Sequence, residues 1–201
     1  MNFVKKPHTA IFSGPTDCGK TKLVLDLVEK EYKDHFENII ILCPTLRWNE
    51  TYLERSWVWK DDYVFCIDLN KGSLIQYIKT LSNLLAKETS LFIIDDCIAD
   101  DALDKTRSEL LALATSGRHK EHTLWFLTQC YTAIPKRIRR QKKQLFVWYP
   151  SEKSDLKLID EETNIMTTSE QLAEANEVLK NSEHAVLYFR MKHPRGYHII
   201  P

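Results

Sequence analysis

The sequence predicts an α/β fold: a mainly parallel sheet flanked by helices, extended by a C-terminal helix and an antiparallel edge hairpin. Three observations carry this. Short apolar runs alternate along the chain with stretches whose leucines and valines recur at helical spacing, and that alternation calls for crossover connections between parallel strands. The runs are nearly uninterrupted aliphatic segments, as expected of strands buried on both faces. The chain of 201 residues is 43% hydrophobic and 28% charged, enough apolar material for a proper core and against disorder.

Taken in order, the first strand falls at residues 9–13 and ends at a glycine. Leu23, Val24, Leu27 and Val28 then place a helix over residues 20 to about 33. Residues 38–43 form an aliphatic run closed by Pro44, and 63–68 a further strand. Leu74, Ile78, Leu81 and Leu85 give an amphipathic helix over 73–87, ahead of a buried strand at 91–94. Leu103, Leu110, Leu111 and Leu113 mark the next helix, and 124–127 and 144–149 are strands. In the tail, 170–180 reads as a helix. Segments 185–191 and 197–200 flank Pro194-Arg195-Gly196, a hairpin turn that supplies the antiparallel edge. No composition break separates a second domain. The chain therefore reads as one unit over 1–201, with a core at about 8–149 and an extension at about 150–201.

Charge and cysteine usage exclude several classes. The 28 basic and 28 acidic side chains cancel, so only a local patch supports contact with nucleic acid or an anionic surface. The longest aliphatic run, 39–42, is too short to span a bilayer, and the N-terminus lacks the apolar core of a secretion signal. The expectation is a soluble protein, not secreted and with no membrane partner. Cysteines at 18, 43, 66, 97 and 130 are odd in number and form no CxxC pair, which argues against a zinc site or disulfide framework.

Gly14-Pro15-Thr16-Asp17-Cys18-Gly19-Lys20-Thr21 fits GxxxxGK[ST] at every specified position. Glycines let such a loop wrap so that backbone N–H groups face phosphate oxygens, and the following helix adds its positive end. Lys20 would reach the β- and γ-phosphates of ATP, and the Thr21 hydroxyl would bind Mg²⁺. The bland alternative is a glycine turn opening a helix. The pattern arises by chance in about 1% of chains this long, and it stands where a strand gives way to a helix.

Residues 91–96 (LFIIDD) supply a partner. A carboxylate at the end of an apolar strand lies at the sheet's carboxyl edge, where open α/β sheets bind ligands. Asp95 would hold Mg²⁺, directly or through water, and Asp96 would orient or deprotonate an attacking water. The alternative is an acidic helix cap, since Asp100 and Asp101 continue the stretch. After strand 124–127, Gln129 either bonds the γ-phosphate or attacking water, or is a turn residue leaving the sheet.

Six of the eight residues at 136–143 are basic: Lys136, Arg137, Arg139, Arg140, Lys142 and Lys143. Such a run is a solvated face, a contact to nucleic-acid phosphates, or a charge offered to a neighbouring subunit's nucleotide. Its place between Pro135 and a strand predicts that it lies near the nucleotide edge. Arg118, in Ser116-Gly117-Arg118-His119, is the more isolated candidate for the last role. A Gly117 C-cap would end the preceding helix and present it from a loop. Capping and helix-dipole duties are its plainer readings.

The phosphate loop, Ile93-Ile94-Asp95-Asp96, the Ser116-Gly117-Arg118-His119 loop and Leu127-Thr128-Gln129-Cys130-Tyr131 with Ile134-Pro135 and Ile138-Arg139 together resemble the poxvirus-type genome-packaging ATPases. These belong to the FtsK–HerA superfamily of P-loop NTPases and occur in large DNA viruses, virophages and Polinton (Maverick) elements. The resemblance covers about residues 8–149. It implies a ring of ATPase subunits at a capsid vertex or portal-like protein, driving double-stranded DNA into a shell in the cytoplasm or nucleus of a host cell. By that similarity Lys20 and Thr21 bind ATP–Mg²⁺, Asp95 is the metal carboxylate, Gln129 the sensor and Arg118 a trans-acting finger, with 136–143 touching DNA. Many members carry Glu where this chain has Asp96, which shortens the catalytic carboxylate by a methylene. A small P-loop nucleoside or nucleotide kinase and an ATP-controlled assembly factor with little turnover are the competing readings.

Overall fold

Strands form where the apolar runs lie, and the crossovers between them are helical. In chain order the elements are β1 (Thr9–Ser13), α1 (Lys20–Glu31), β2 (Asn38–Cys43), α2 (Glu50–Leu53), α3 (Ser56–Lys60), β3 (Val64–Asp68), α4 (Leu74–Leu84), β4 (Ser90–Asp95), α5 (Leu103–Ser116), β5 (His122–Thr128), α6 (Lys136–Arg139), β6 (Lys142–Val147), α7 (Lys153–Thr163), α8 (Ser169–Asn181), β7 (Val186–Arg190) and β8 (Gly196–Ile200). This computed structural model describes residues 3–32, 34–69, 74–97, 103–149, 153–166, 168–182 and 184–200. Residue 73, the expected start of α4, and the acidic Asp100 and Asp101 lie outside them.

The strands make one sheet in the order β3-β2-β4-β5-β1-β6-β7-β8. From β3 to β6 every pairing is parallel, while β7 and β8 join antiparallel, the edge hairpin expected from the tail. Alternate residues of each central strand face opposite layers. Ile11, Ile40, Leu42, Phe92, Ile94 and Phe126 point into the layer holding α4 and α5, and Ala10, Phe12, Ile41, Ile93, Trp125 and Leu127 into the layer of α1. All twelve are essentially inaccessible, which is why these strands read as continuous apolar runs.

Parallel registry gives the sheet two functional ends. Ser13 pairs with Thr128, and Leu127 with Asp95, at the carboxyl edge; Ser90 pairs with His122, and Thr9 with Lys142, at the amino edge. This corrects the expected position of the basic run 136–143. Because β6 runs parallel to β1, the chain leaving β5 at the carboxyl edge must return through the turn at Tyr131–Ala133 and α6 before β6 can begin. The run therefore lies at the amino edge, away from the phosphate loop.

Helix α7 is an addition to what the periodicity shows. Its apolar residues, Ile159 buried and Leu156 half-buried, share the inner side with Asp155, Asp160 and Glu162, while Lys157 and Glu161 are exposed. Several of these charges turn inward: Asp155 accepts a hydrogen bond from the Tyr131 backbone N–H at 2.9 Å.

Candidate active site

The loop between β1 and α1 is shaped by its two glycines. The Gly14 N–H donates to the Thr128 carbonyl at 3.1 Å, drawing the loop against β5. A Cβ at Gly14 would come within 2.7 Å of the Trp148 Cβ and 2.9 Å of the Cys18 Sγ, so no larger residue fits there. Gly19 has φ 97°, a left-handed conformation in which L side chains are strained. Asp17, at φ 61°, makes a second left-handed turn within the same loop. Such alternation bends the backbone into the concave turn that receives anions. The first turn of α1 has no acidic side chain, so the positive end of this twelve-residue helix is uncompensated.

Lys20 and Thr21 open that helix. Lys20 is buried, and its Nζ folds over the loop to donate to the carbonyls of Gly14 at 2.8 Å and Pro15 at 2.6 Å. The Thr21 hydroxyl donates to Asp95 Oδ2 at 3.2 Å, joining the start of α1 to the end of β4. The Tyr52 hydroxyl donates to the same oxygen at 2.8 Å. Burial pushes the Asp95 carboxyl up to about 6, against the hydrogen bond from Tyr52, while the neighbouring Asp96 charge raises it further. A costly buried carboxylate beside a hydroxyl is a hard-oxygen donor set that suits Mg²⁺, an ion completed by waters and substrate phosphates rather than by a protein cage. Thr21 and Asp95 therefore fit the ion.

Asp96 turns away from the strand at φ 52°, and its N–H donates to the Leu127 carbonyl at 3.2 Å. Its exposed carboxylate accepts a hydrogen bond from Gln129 Nε2 at 3.0 Å. The side chains following β4 and β5 thus meet at the carboxyl edge beside the phosphate loop.

Arg118 is placed differently. It is exposed on a 3₁₀ turn at Gly117–Lys120, immediately before β5 and hence at the amino edge. The span of β5, six steps of about 3.3 Å, separates it from Thr128 and the loop by roughly 20 Å. Within one chain it does not meet its own phosphate loop. As expected, α5 ends at Ser116 and Gly117 follows it, opening the 3₁₀ turn that carries Arg118, though without positive φ, which among the described glycines only Gly19 has. Gly117 is buried, and a Cβ there would lie 3.1 Å from Leu124 Cδ1, so close packing on β5 is what asks for glycine.

The basic run divides in two. Lys136, Arg137, Arg140 and Lys143 are exposed, whereas Arg139 and Lys142 are buried and occupied, which removes both from the residues expected to touch DNA. Arg139 grips Glu162 through Nε at 3.1–3.2 Å and Nη2 at 2.8 Å, donates through Nη1 to the Ile134 carbonyl, and lies over the Tyr131 ring. Lys142 Nζ donates to the Arg139 carbonyl at 3.3 Å and sits 3.9 Å from Glu162. Burial lowers the Lys142 ammonium to about 8 in spite of that carboxylate.

Fold and loop together define a P-loop NTPase. The chain belongs to the Poxvirus A32 protein family, whose model matches residues 1–189. No curated protein matches it. Among solved structures, it is similar to the genome packaging NTPase B204 of Sulfolobus turreted icosahedral virus 2 in complex with ATP-gammaS, with 20% identity, a TM-score of 0.67 and coverage of 99% of this chain and 98% of that one. B204, the DNA-packaging ATPase from Sulfolobus turreted icosahedral virus, gives 17% identity and a TM-score of 0.67 over 98% of both chains. The pCW3 conjugation coupling protein TcpA with ATPgS follows at 12% identity and a TM-score of 0.64, over 96% of this chain and 60% of that one. At these identities the likeness is one of fold. No helix among the described residues is long and apolar enough to cross a membrane.

Two residues of the site and its surroundings escape sequence reading. Tyr52 sits in a segment where only Asn49, as a helix N-cap ahead of Glu50, is a legible signal. Glu162 lies in α7 as one acidic residue among several, and nothing in the sequence pairs it with Arg139.

Proposed function

We propose that this protein is an ATP-hydrolysing motor that moves double-stranded DNA into a capsid during genome packaging, acting in the host cell, cytoplasm or nucleus, as a ring of identical subunits at a vertex or portal-like protein. The observation that carries this reading is the bridge from Thr21 to Asp95, which joins a complete phosphate loop to an acidic strand end, with Asp96 and its hydrogen-bond partner Gln129 next along the same edge. Membership of the A32 family and the fold shared with the B204 packaging ATPase support it.

The loop amides at 14–19 would cradle the phosphates of ATP. Lys20 exchanges the Gly14 and Pro15 carbonyls for β- and γ-phosphate oxygens, a reorientation within reach of its flexible stem. Thr21 and Asp95 would hold Mg²⁺, which when bound would neutralise charge on the nucleotide's phosphates. Asp96 accepts a proton from a water that Gln129 helps to orient; the water oxygen bonds to the γ-phosphorus as the β,γ-bridging P–O bond breaks. Arg118 of a neighbouring copy supplies the remaining positive charge, a contribution of about 10³–10⁵ in rate for such fingers. Its position at the edge opposite the loop supports a role in trans rather than in cis. Lys136, Arg137, Arg140 and Lys143 offer the DNA backbone a sequence-independent electrostatic surface.

Phosphate release from ATP, measured with and without double-stranded DNA, tests the reading. DNA-stimulated release, abolished by Lys20→Ala, is expected, together with DNA affinity that falls steeply with salt. Phosphate transfer to a nucleoside, or no turnover by folded protein, would contradict it.

A further inference from the structure

The Thr21–Asp95 pair has a third member that comes from neither the phosphate loop nor a strand end. Tyr52 lies on α2, fully buried, and its hydroxyl donates to Asp95 Oδ2, the oxygen that also accepts from Thr21. Two donors converging on one oxygen fix the carboxylate's rotation and leave Oδ1 as the oxygen offered to a cation or to one of its waters.

What holds Tyr52 there is a strap tied to the helix that carries Lys20 and Thr21. Asn49 caps α2, its side chain accepting from the Thr51 N–H at 3.1 Å. Arg55 then forks onto two carboxylates of α1, Asp26 at 2.6 Å and Glu29 at 2.7 Å. Trp57 Nε1 donates to Glu29 at 2.6 Å, and Trp59 Nε1 to the Tyr52 carbonyl at 2.9 Å. An arginine that bridges two carboxylates with charge-assisted bonds, with indole donors added, defines position more tightly than a single exposed ion pair. The strap spans from α1 to the end of β4, the two halves that a metal–nucleotide complex must bridge.

We propose that Tyr52 is a positioning residue for the divalent cation of the nucleotide site, holding Asp95 in the orientation in which it and Thr21 share one Mg²⁺ ion. This rests on the ATP-binding reading given above. A tyrosine that merely satisfied its hydroxyl on the nearest acceptor would affect stability alone. A partner that orients a metal-binding carboxylate affects cation affinity, in measured cases by about 10–100-fold.

The test uses the full chain with Mn²⁺ as the probe cation and ATPγS as the nucleotide. Mn²⁺ affinity of the protein–ATPγS complex is read by electron paramagnetic resonance. ATPγS affinity is measured separately in EDTA, and thermal unfolding is followed alongside. For Tyr52→Phe the expected result is Mn²⁺ binding weaker by about 10–100-fold, with metal-free ATPγS affinity unchanged. Unchanged Mn²⁺ affinity, or an equal loss of metal-free ATPγS binding, overturns the assignment. Should Tyr52→Phe fail to fold, Arg55→Gln loosens the strap without touching the site. Weaker Mn²⁺ binding with intact ATPγS binding then supports the role, and wild-type Mn²⁺ affinity overturns it. Wild-type protein that takes up ATPγS and Mn²⁺ beside an indistinguishable Tyr52→Phe variant sinks the Tyr52 role only; wild-type protein that takes up neither sinks the nucleotide reading as well.

Discussion

Replacing Asp95, the carboxylate proposed to hold the metal, should make the protein more stable while destroying its activity. Asp95 is 5% exposed, and burial raises its carboxyl from the ordinary 3.8 to about 6. In the unfolded chain the group ionises first. Between pH 3.8 and about 6 the folded protein keeps a proton that the unfolded chain releases, so stability falls as pH rises through that window. Above it the full penalty of a buried charge is present, about 3 kcal/mol for a shift of this size. Asp95→Asn removes the charge yet keeps a carbonyl that can accept from Tyr52 and Thr21. In nucleotide-free protein at about pH 8, a gain of roughly 6–12 °C in melting temperature is expected for a chain this long, shrinking toward zero near pH 4. ATP hydrolysis should be lost at the same time. A variant no more stable than wild type at pH 8, or one whose gain does not depend on pH, would refute the reasoning.

Other perturbations separate structural from functional roles. Glu162→Ala leaves Arg139 and Lys142 buried without their carboxylate, so a loss of about 3–5 kcal/mol is expected in urea unfolding; a loss below 1 kcal/mol would mean that water reaches the cluster freely. Gly14→Ala forces a methyl against Trp148 and Cys18, and both melting temperature and ATP affinity should drop, which differential scanning fluorimetry with and without nucleotide would read. His8 is buried, and burial lowers its imidazole from 6.5 to about 4 against its contact with the Lys6 carbonyl. The stabilisation of the neutral ring is fully present above pH 6.5 and is lost as pH falls toward 4, about 3 kcal/mol in all. An NMR titration showing His8 protonated at pH 6 would contradict this.

Legibility followed locality. The phosphate loop, the acidic strand end and the parallel strands were readable because each is a contiguous pattern whose physics is local: glycine conformations, a helix terminus, uninterrupted aliphatic runs. The edge hairpin was readable for the same reason. The basic run's place is not legible, because it depends on which way β6 runs, a property of sheet topology that a cluster of charges does not encode. Arg139 and Lys142 looked like their exposed neighbours because the residue that claims them, Glu162, is twenty or more positions away on a helix whose inward charges hide its periodicity. Tyr52 was invisible for a like reason: an aromatic on a one-turn helix gives no sign that its hydroxyl meets Asp95, 43 positions on.

Arg118 at the edge opposite its own phosphate loop gives the account its most direct test, a mixing experiment. Arg118→Ala protein keeps the nucleotide site but lacks the proposed finger, and Lys20→Ala protein keeps that arginine but lacks the proposed phosphate-binding lysine. Each should be inactive alone, and an equal mixture should recover about a quarter of wild-type ATP hydrolysis in a head-to-tail ring, where that share of interfaces pairs a sound site with a sound arginine. Full activity from Arg118→Ala protein by itself, or no recovery on mixing variants shown to assemble together, would contradict hydrolysis shared between adjoining copies.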